Sequence, residues 1–328
     1  MKAAWFEKFG NADEVLIYGE FADPQPQAGE VLVRIKASGI NPSDTKKRAG
    51  SSPGLLNSGP VIPHSDGAGI IEAVGAGVPD SRVGEHVWIY NAQFGRQLGT
   101  AAEYVALDSA QAVWMPEKTS FDVGACMGIP AMTSHRCVTA EGSVDGQTIL
   151  VTGGAGRVGY YAIQWAKHFG ATVIATAGSE ASSLDCKNAG ADLVTGHPGE
   201  ETRAEIKEFT SGNGVDLIVE GEFGGNLSSV LDILKTNGTI ATYSSMAQPT
   251  PEIPFYRMMF MDITVRYVLV YVMPDSAKML ASKHISEFLE SDKLQHRISH
   301  TLPLSDISQG HKLIEDVASP GCVVLNCD

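Results

Sequence analysis

Apolar residues recur with two different periods along this chain, and the change of period divides it. From residue 1 to about 120 they alternate with polar ones, as in Glu30-Val31-Leu32-Val33-Arg34-Ile35-Lys36-Ala37 and Val83-Gly84-Glu85-His86-Val87-Trp88-Ile89-Tyr90. Ile70-Ile71-Glu72-Ala73-Val74-Gly75 adds another strand and a turn, and Pro24, Pro26, Pro42, Pro53, Pro60, Pro63 and Pro79 punctuate the loops. Period two with frequent turn residues predicts a compact, mostly β domain. From about 121, short apolar runs alternate with segments of helical spacing. The strands are predicted at 148 to 152, 171 to 176, 215 to 219 and 238 to 243, the helices near 158 to 169, 180 to 189, 201 to 210 and 225 to 235. That order implies a parallel sheet covered on both faces, an α/β doubly wound domain beside the β domain.

The run 262 to 271 reads as an edge strand, to be covered either by a second copy of the chain or within the monomer. A helix is predicted over 275 to 291, a strand near 296 to 302, a helix near 305 to 317 and a last strand Cys322-Val323-Val324-Leu325. The tail is expected to rejoin the first domain. That gives residues 1-120 and 295-328 for the β domain and 121-294 for the doubly wound one, with the substrate expected in a cleft between them.

The most informative stretch is Gln147 to Gly170. Apolar or β-branched residues at 148 to 152 end in Gly154-x-Gly156-x-x-Gly159, with Ala155, Arg157 and Val158 between the glycines. Val158, Tyr161, Ala162, Trp165 and Phe169 then mark one helix face, and Gly170 sits where a C′ residue belongs. A second strand, 171 to 176, completes a βαβ unit. Glycines in such a turn let the backbone approach a pyrophosphate, whose charge faces the helix's unpaired N–H groups. A glycine triplet alone also serves as a tight connection; the flanking strands and helix favour a dinucleotide. An NAD site carries Asp or Glu at the end of the second strand, about 20 residues past the first glycine. This chain has Ala177-Gly178-Ser179 there, an opening that suits a 2′-phosphate, so NADPH is the expected cofactor.

Composition narrows the partners. Lys plus Arg total 24 against 38 Asp plus Glu, a net charge of −14, which argues against nonspecific binding to nucleic acid or anionic membranes. Neither a leader-like start nor an apolar run long enough to span a membrane is seen, so a cytoplasmic protein is expected. Five scattered cysteines, Cys126, Cys137, Cys186, Cys322 and Cys327, without a C-x-x-C, indicate neither a disulfide framework nor a zinc ribbon.

Several stretches occur together in order: Asn41-Pro42-Ser43-Asp44, Pro63-His64-Ser65-Asp66-Gly67-Ala68-Gly69 with Ile71-Glu72-Ala73-Val74-Gly75, Ala102-Glu103-Tyr104, Gly128-Ile129-Pro130-Ala131-Met132-Thr133, and the glycine turn. Over essentially its whole length the chain resembles the medium-chain dehydrogenase/reductase superfamily, and within it the zinc-free quinone oxidoreductases of the zeta-crystallin-like branch. The resemblance implies a GroES-like catalytic domain with a Rossmann domain inserted before its last segment. Where the zinc alcohol dehydrogenases carry a catalytic Cys, His and Glu, this chain has Asn41, Ser65 and Asp66, and His64 and His86 have no partner at ligand spacing, so no metal is expected.

The resemblance further implies that Asn41 faces the acceptor, with Asp44 holding its loop; Asn41 also suits a turn cap before Pro42. Lys46 stands where close relatives have a tyrosine, a departure that introduces a cationic donor. Ser179 and His197 match positions flanking the adenine ribose and its phosphate, whereas Ser182, Val317 and Cys322 replace basic residues of the family. Arg157 is a candidate for the missing charge. Thr133 matches a position facing the nicotinamide. Tyr243 and Ser244, just past a strand's carboxyl end, belong to the cofactor cleft by the switch-point rule. The expected function is hydride transfer from NADPH to a quinone by a homodimer. An enone as acceptor, or a non-catalytic NADPH-binding structural or sensor protein, are the alternatives.

Overall fold

The helix-strand alternation after residue 130 becomes a six-stranded parallel sheet in a computed structural model that describes residues 1–316 and 321–328. Its strands lie in the order Leu193–Thr195, Thr172–Thr176, Thr148–Val151, Val215–Glu220, Leu234–Thr242 and Thr264–Tyr267. Ile149, Leu150, Val151, Val173, Ile174 and Val219 are all fully buried, as expected when helices cover both faces of a sheet. The strand order reverses between Thr148–Val151 and Val215–Glu220, so the carboxyl ends of these neighbours form the switch point of the sheet.

Helix Arg157–His168 runs from the glycine turn with Tyr161, Ala162 and Trp165 on its buried side. It ends at Gly170, whose φ of +89° only glycine adopts without strain. Two sequence expectations change in this unit, and two elements are new. The helix read over 225 to 235 spans Phe223–Val230, because Leu234 already belongs to the next strand. The edge strand read over 262 to 271 is only Thr264–Tyr267: its neighbour ends at Thr242, so beyond Val268 the backbone has no ladder to join and winds into a tight turn at Val270–Val272. The short strand Leu193–Thr195 and the helix Met132–Thr139 were not anticipated.

The chain divides into two compact units, Met1–Ile129 with Ser282–Asp328, and Pro130–Ala281. In the first, the long strand Glu30–Ile40 pairs antiparallel with Asp66–Val74, Tyr104–Asp108 and Cys322–Asn326. Val31, Val33 and Ile35 point into the core while Leu32 and Arg34 between them are less buried, the alternation that one covered face demands. The last strand pairs in turn with Ile298–Pro303. Helix Ile307–Glu315 packs Ile307 and Ile314 into the same core; Val317, where the sequence reading ended that helix, lies outside the described residues. All five cysteines are buried free thiols.

The strand Thr264–Tyr267 has no strand partner on one side among the described residues, and around it Phe260, Tyr267 and Val272 are 80%, 72% and 64% exposed. Apolar edges of this kind are costly to leave in water. We expect a homodimer through this edge, with light scattering at micromolar concentration giving twice the 34.8 kDa chain mass, and Tyr267→Asp shifting it toward monomer. A wild-type mass of one chain would contradict this.

Candidate functional site

In the parallel-sheet unit the candidate residues gather at the carboxyl ends of the strands. The glycine turn is tied to the neighbouring strand by Gly153 N–H donating to Thr176 Oγ1 and Gly154 N–H to the Thr176 carbonyl, both at 2.9 Å. A Cβ at Gly159 would lie 2.4 Å from the Gly153 carbonyl oxygen, and one at Gly154 would lie 2.8 Å from Ala175 Cβ and Cys186 Sγ. Any side chain there would push helix and strand apart. Gly156 is the N-cap and offers no side chain to the first helical N–H groups, which leaves them for an anion. Ala155, Arg157 and Val158 are half-buried around this helix start. The cradle therefore fits a pyrophosphate.

At the end of the next strand, Ser179 caps helix Glu180–Asn188, its Oγ accepting from Ser182 N–H at 3.2 Å and lying 3.0 Å from Ser182 Oγ. The His197 ring covers Gly178, with Nε2 2.6 Å from where a Cβ would stand. Ser179, Ser182 and His197 thus border an exposed opening that carries no carboxylate at the strand end. Across the switch point, Tyr243 and Ser244 line a cavity of about 400 Å³ with Phe223, Tyr267, Pro249 and Leu269. Burial pushes the Tyr243 phenol above its usual range. Thr133 is buried on the helix Met132–Thr139.

The strand Val215–Glu220 adds a group that the sequence reading passed over. Glu220 is fully buried, and its Oε1 accepts from Thr152 Oγ1 at 2.9 Å, Glu222 N–H at 2.6 Å and Asn226 Nδ2 at 2.9 Å. Its Oε2 has no partner among the described residues. Burial raises its pKa, and Glu222 adds to the rise. A signal existed: an acid closing an apolar parallel strand must either be paired or stay protonated.

In the mixed-sheet unit, Asn41 is the N-cap of helix Pro42–Lys46, and its backbone N–H donates to Asp44 Oδ2 at 2.8 Å. The Asn41 side-chain amide donates to Asp66 Oδ2 at 2.8 Å, and Ile129 N–H donates to the same oxygen at 2.8 Å. Residue 128 must be glycine, since a Cβ there would sit 2.1 Å from Asp66 Oδ1. Burial holds the Asp66 carboxyl well above the usual carboxylate range; it also raises Asp44, to about 6, against the opposing pull of Lys47.

Lys46 makes no hydrogen bond or ion pair among the described residues, whereas its neighbour Lys47, unremarked in the sequence, reaches the Gln93 carbonyl at 2.7 Å, Gln93 Oε1 at 2.9 Å and Ser65 Oγ at 3.5 Å. Burial lowers the Lys47 pKa while Asp44 and Asp66 support its charge. Adjacent lysines on a one-turn helix cannot be told apart by pattern alone.

His64 has a partner after all, 247 positions away in sequence: its Nε2 lies 2.9 Å from His311 Nε2 and the rings stack. Thr100 Oγ1 donates to the Asp66 carbonyl at 2.5 Å and so accepts from Ser38 Oγ at 2.8 Å. Ser38, its proton spent, must accept from His64 Nδ1–H at 2.8 Å, which leaves His64 Nε2 to accept from His311 Nε2–H. One tautomer of each ring satisfies the chain. Burial depresses both imidazoles, His64 to about 3. Among the described residues no group of three or more His, Cys, Asp and Glu is arranged to hold a metal ion.

Comparisons with known proteins cover both units. The family described as alcohol dehydrogenase GroES-like domain matches residues 27–117, and the family described as zinc-binding dehydrogenase matches residues 158–285. The chain is 29% identical to quinone oxidoreductase of Homo sapiens over 329 residues, 99% of this chain and 97% of that protein. It is 33% identical to quinone oxidoreductase of Rattus norvegicus over 244 residues, 73% and 72% of the two chains. With 2-methylene-furan-3-one reductase of Solanum lycopersicum it shares 27% over 333 residues, 99% of this chain and 79% of that one. A mycobacterial protein complexed with NADPH superposes with a TM-score of 0.87 at 27% identity, over 99% and 100% of the chains. A solved NAD-dependent alcohol dehydrogenase does so with 0.87 at 28%, over 99% of both.

The paired histidines make an acid test of the mixed-sheet unit. An imidazole depressed in the folded state gives stability that is complete above its unfolded pKa of 6.5 and is lost as pH falls toward the folded value. His311→Gln removes one such group, while the buried carboxyls, whose effect has the opposite sign, remain in both proteins. The stability gap between wild type and His311→Gln, measured by urea unfolding, should therefore shrink by about 1.4 kcal/mol per pH unit below 6.5. A gap that stays constant or widens between pH 6.5 and 5 would contradict the neutral pair.

Proposed function

The chain belongs to the medium-chain dehydrogenase/reductase superfamily, among its quinone-oxidoreductase-type members, and on that premise we propose that it transfers a hydride from NADPH to a quinone without zinc. Membership makes it a nicotinamide-dependent oxidoreductase; the acceptor, the choice of NADPH and the absence of zinc are the proposal. When bound, the reduced nicotinamide supplies the hydride. The glycine cradle would hold the pyrophosphate, and Ser179, Ser182 and His197 the 2′-phosphate end, where a carboxylate would repel it. The NADPH bound to a structural neighbour supports that choice.

The observation that carries the zinc-free reading is the Asn41–Asp66 bond. Tetrahedral zinc sites take about four N, S or O donors, usually including thiolate or imidazole. Here an amide donates to a buried carboxyl whose pKa burial raises, so the two groups satisfy each other without an ion. A quinone spreads the charge it gains over its ring and needs less stabilisation than an alkoxide would. Asn41, whose amide has a second N–H, and Lys46 are the donors available to its oxygen.

A second reading, reduction of an enone, is favoured by Lys46. Hydride addition to the β-carbon must be completed by a proton at the α-carbon, and an ammonium with no partner among the described residues can supply one. The 2-methylene-furan-3-one reductase among the relatives supports it as well.

Following NADPH oxidation with 1,4-quinones and 2-alkenals side by side separates the two readings. For a quinone reductase, Lys46→Met should leave quinone turnover within a few-fold, and Asn41→Ala should lower it by less than the ~10²–10³ typical of losing an oxyanion donor. Dominant alkenal activity that falls about 10²-fold or more in Lys46→Met would establish the enone reading instead. In fluorescence titrations NADPH should bind roughly tenfold or more tightly than NADH, about one charge-assisted contact. Equal or tighter NADH binding, or stoichiometric zinc with chelator-sensitive activity, would overturn the corresponding part.

A further inference from the structure

We propose that Glu220 is a proton-dependent positioning residue of the phosphate-facing turn: protonated, it holds Thr152 and the glycines that follow, and on losing its proton it weakens dinucleotide binding. The inference rests on the reading of the glycine cradle as a dinucleotide site.

Its geometry is closed on three sides. Thr152, which leads directly into Gly153 and Gly154, donates its hydroxyl to Glu220 Oε1 and accepts Gly221 N–H at 3.0 Å. Glu222 N–H and Asn226 Nδ2 fill the remaining space at Oε1, so a proton on this carboxyl resides on Oε2, the oxygen without a partner. No cation is among the hydrogen-bond partners of the group. The charge acting on it from its own loop is Glu222, whose two oxygens accept from Met246 N–H at 2.7 Å and Ala247 N–H at 3.0 Å. From the next strand it meets the Tyr243 phenol, whose oxygen stands 2.8 Å from the Cβ position of Gly221, and the Cys137 thiol acts on that phenol from the helix Met132–Thr139. Burial raises both phenol and thiol, so neither contributes charge.

An ionised Glu220 would thus be a buried carboxylate with three donors but no counter-ion, and burial outweighs those donors and moves its titration upward. Losing the proton would set a negative charge directly behind the turn. The backbone N–H groups of that turn are the ones expected to face the pyrophosphate, and as an order-of-magnitude guide like charges separated by roughly 10 Å at an effective dielectric of about 20 weaken binding by about tenfold.

The test is the NADPH dissociation constant, read by nicotinamide fluorescence from pH 5 to 8, for wild type, Glu220→Gln and Glu222→Gln. Titration of the 2′-phosphate and of His197 is common to all three and cancels in the ratios. Relative to Glu220→Gln, wild type should bind more weakly as pH rises, by about tenfold across one proton step above pH 4.5. In Glu222→Gln that step should move to lower pH, because the neighbouring negative charge is gone. Parallel profiles for wild type and Glu220→Gln would overturn the proposal. Should Glu220→Gln fail to fold, an unmoved step in Glu222→Gln would do so. Failure of wild type to bind NADPH at any pH would remove the cradle reading itself, and this inference with it.

Discussion

Burying a carboxyl without a counter-ion is the constraint on which the polar parts of both units depend. Desolvation disfavours the charged form and raises the pKa of such a group, which amides, hydroxyls and backbone N–H groups then hold in place. Asp66 does this for Asn41 and Ile129, Glu220 for Thr152, Glu222 and Asn226. Asp44 is intermediate: Asn41 and Lys47 offset part of its desolvation, and it titrates near 6. Each carboxyl leaves one oxygen unpartnered, so its position is set by the donors on the other. Removing such a donor strands a buried acceptor, which typically costs about 1–3 kcal/mol.

The same constraint orders the backbone around Asp66. Its carbonyl receives the end of a one-directional chain that starts at His311 and passes through His64, Ser38 and Thr100, while its carboxyl receives Asn41. Helix Ile307–Glu315 is therefore joined to the loop before the strand Asp66–Val74 by polar contact as well as by apolar packing, and Glu315 also pairs with the buried Arg48. His64 holds a φ of +77°, in the left-handed region that residues other than glycine seldom adopt. The hydrogen bonds at both of its ring nitrogens offset that strain.

Legibility followed the physics of each signal. Strands at 148 to 151, 172 to 176 and 215 to 220 could be read because an apolar run bounded by turns has few other uses, and the helix at 157 to 168 because its apolar stripe and terminal Gly170 agree. The glycine turn carried its own geometry: Gly154 and Gly159 stand where a Cβ has no room. Boundaries failed where they depend on a neighbour rather than on the run itself, as when Val268 to Tyr271 leave the sheet because the adjacent strand stops at Thr242. Pairings across long separations were invisible for the same reason. Nothing in either sequence neighbourhood announces that His64 meets His311, or that Lys47 rather than Lys46 is the lysine held by Gln93 and Ser65.

That division of labour between adjacent lysines bears on the chemistry. Lys47 is held at Gln93 and Ser65, and its charge is balanced against Asp44 and Asp66, so it acts as a fixed element of the local field. Lys46 is half-buried and makes no hydrogen bond or ion pair among the described residues, so its ammonium is not committed to a fixed contact there. Asn41, capped by Asp44 and held by Asp66, can offer a hydrogen bond but cannot deliver a proton to carbon. If Asn41 and Lys46 face the acceptor as proposed, the amide and the ammonium can steady its carbonyl oxygen, and the proton donor matters most where the product needs a new C–H bond. Under the proposed function, the balance between a quinone and an enone would therefore turn on Lys46 rather than on the rigid groups around it.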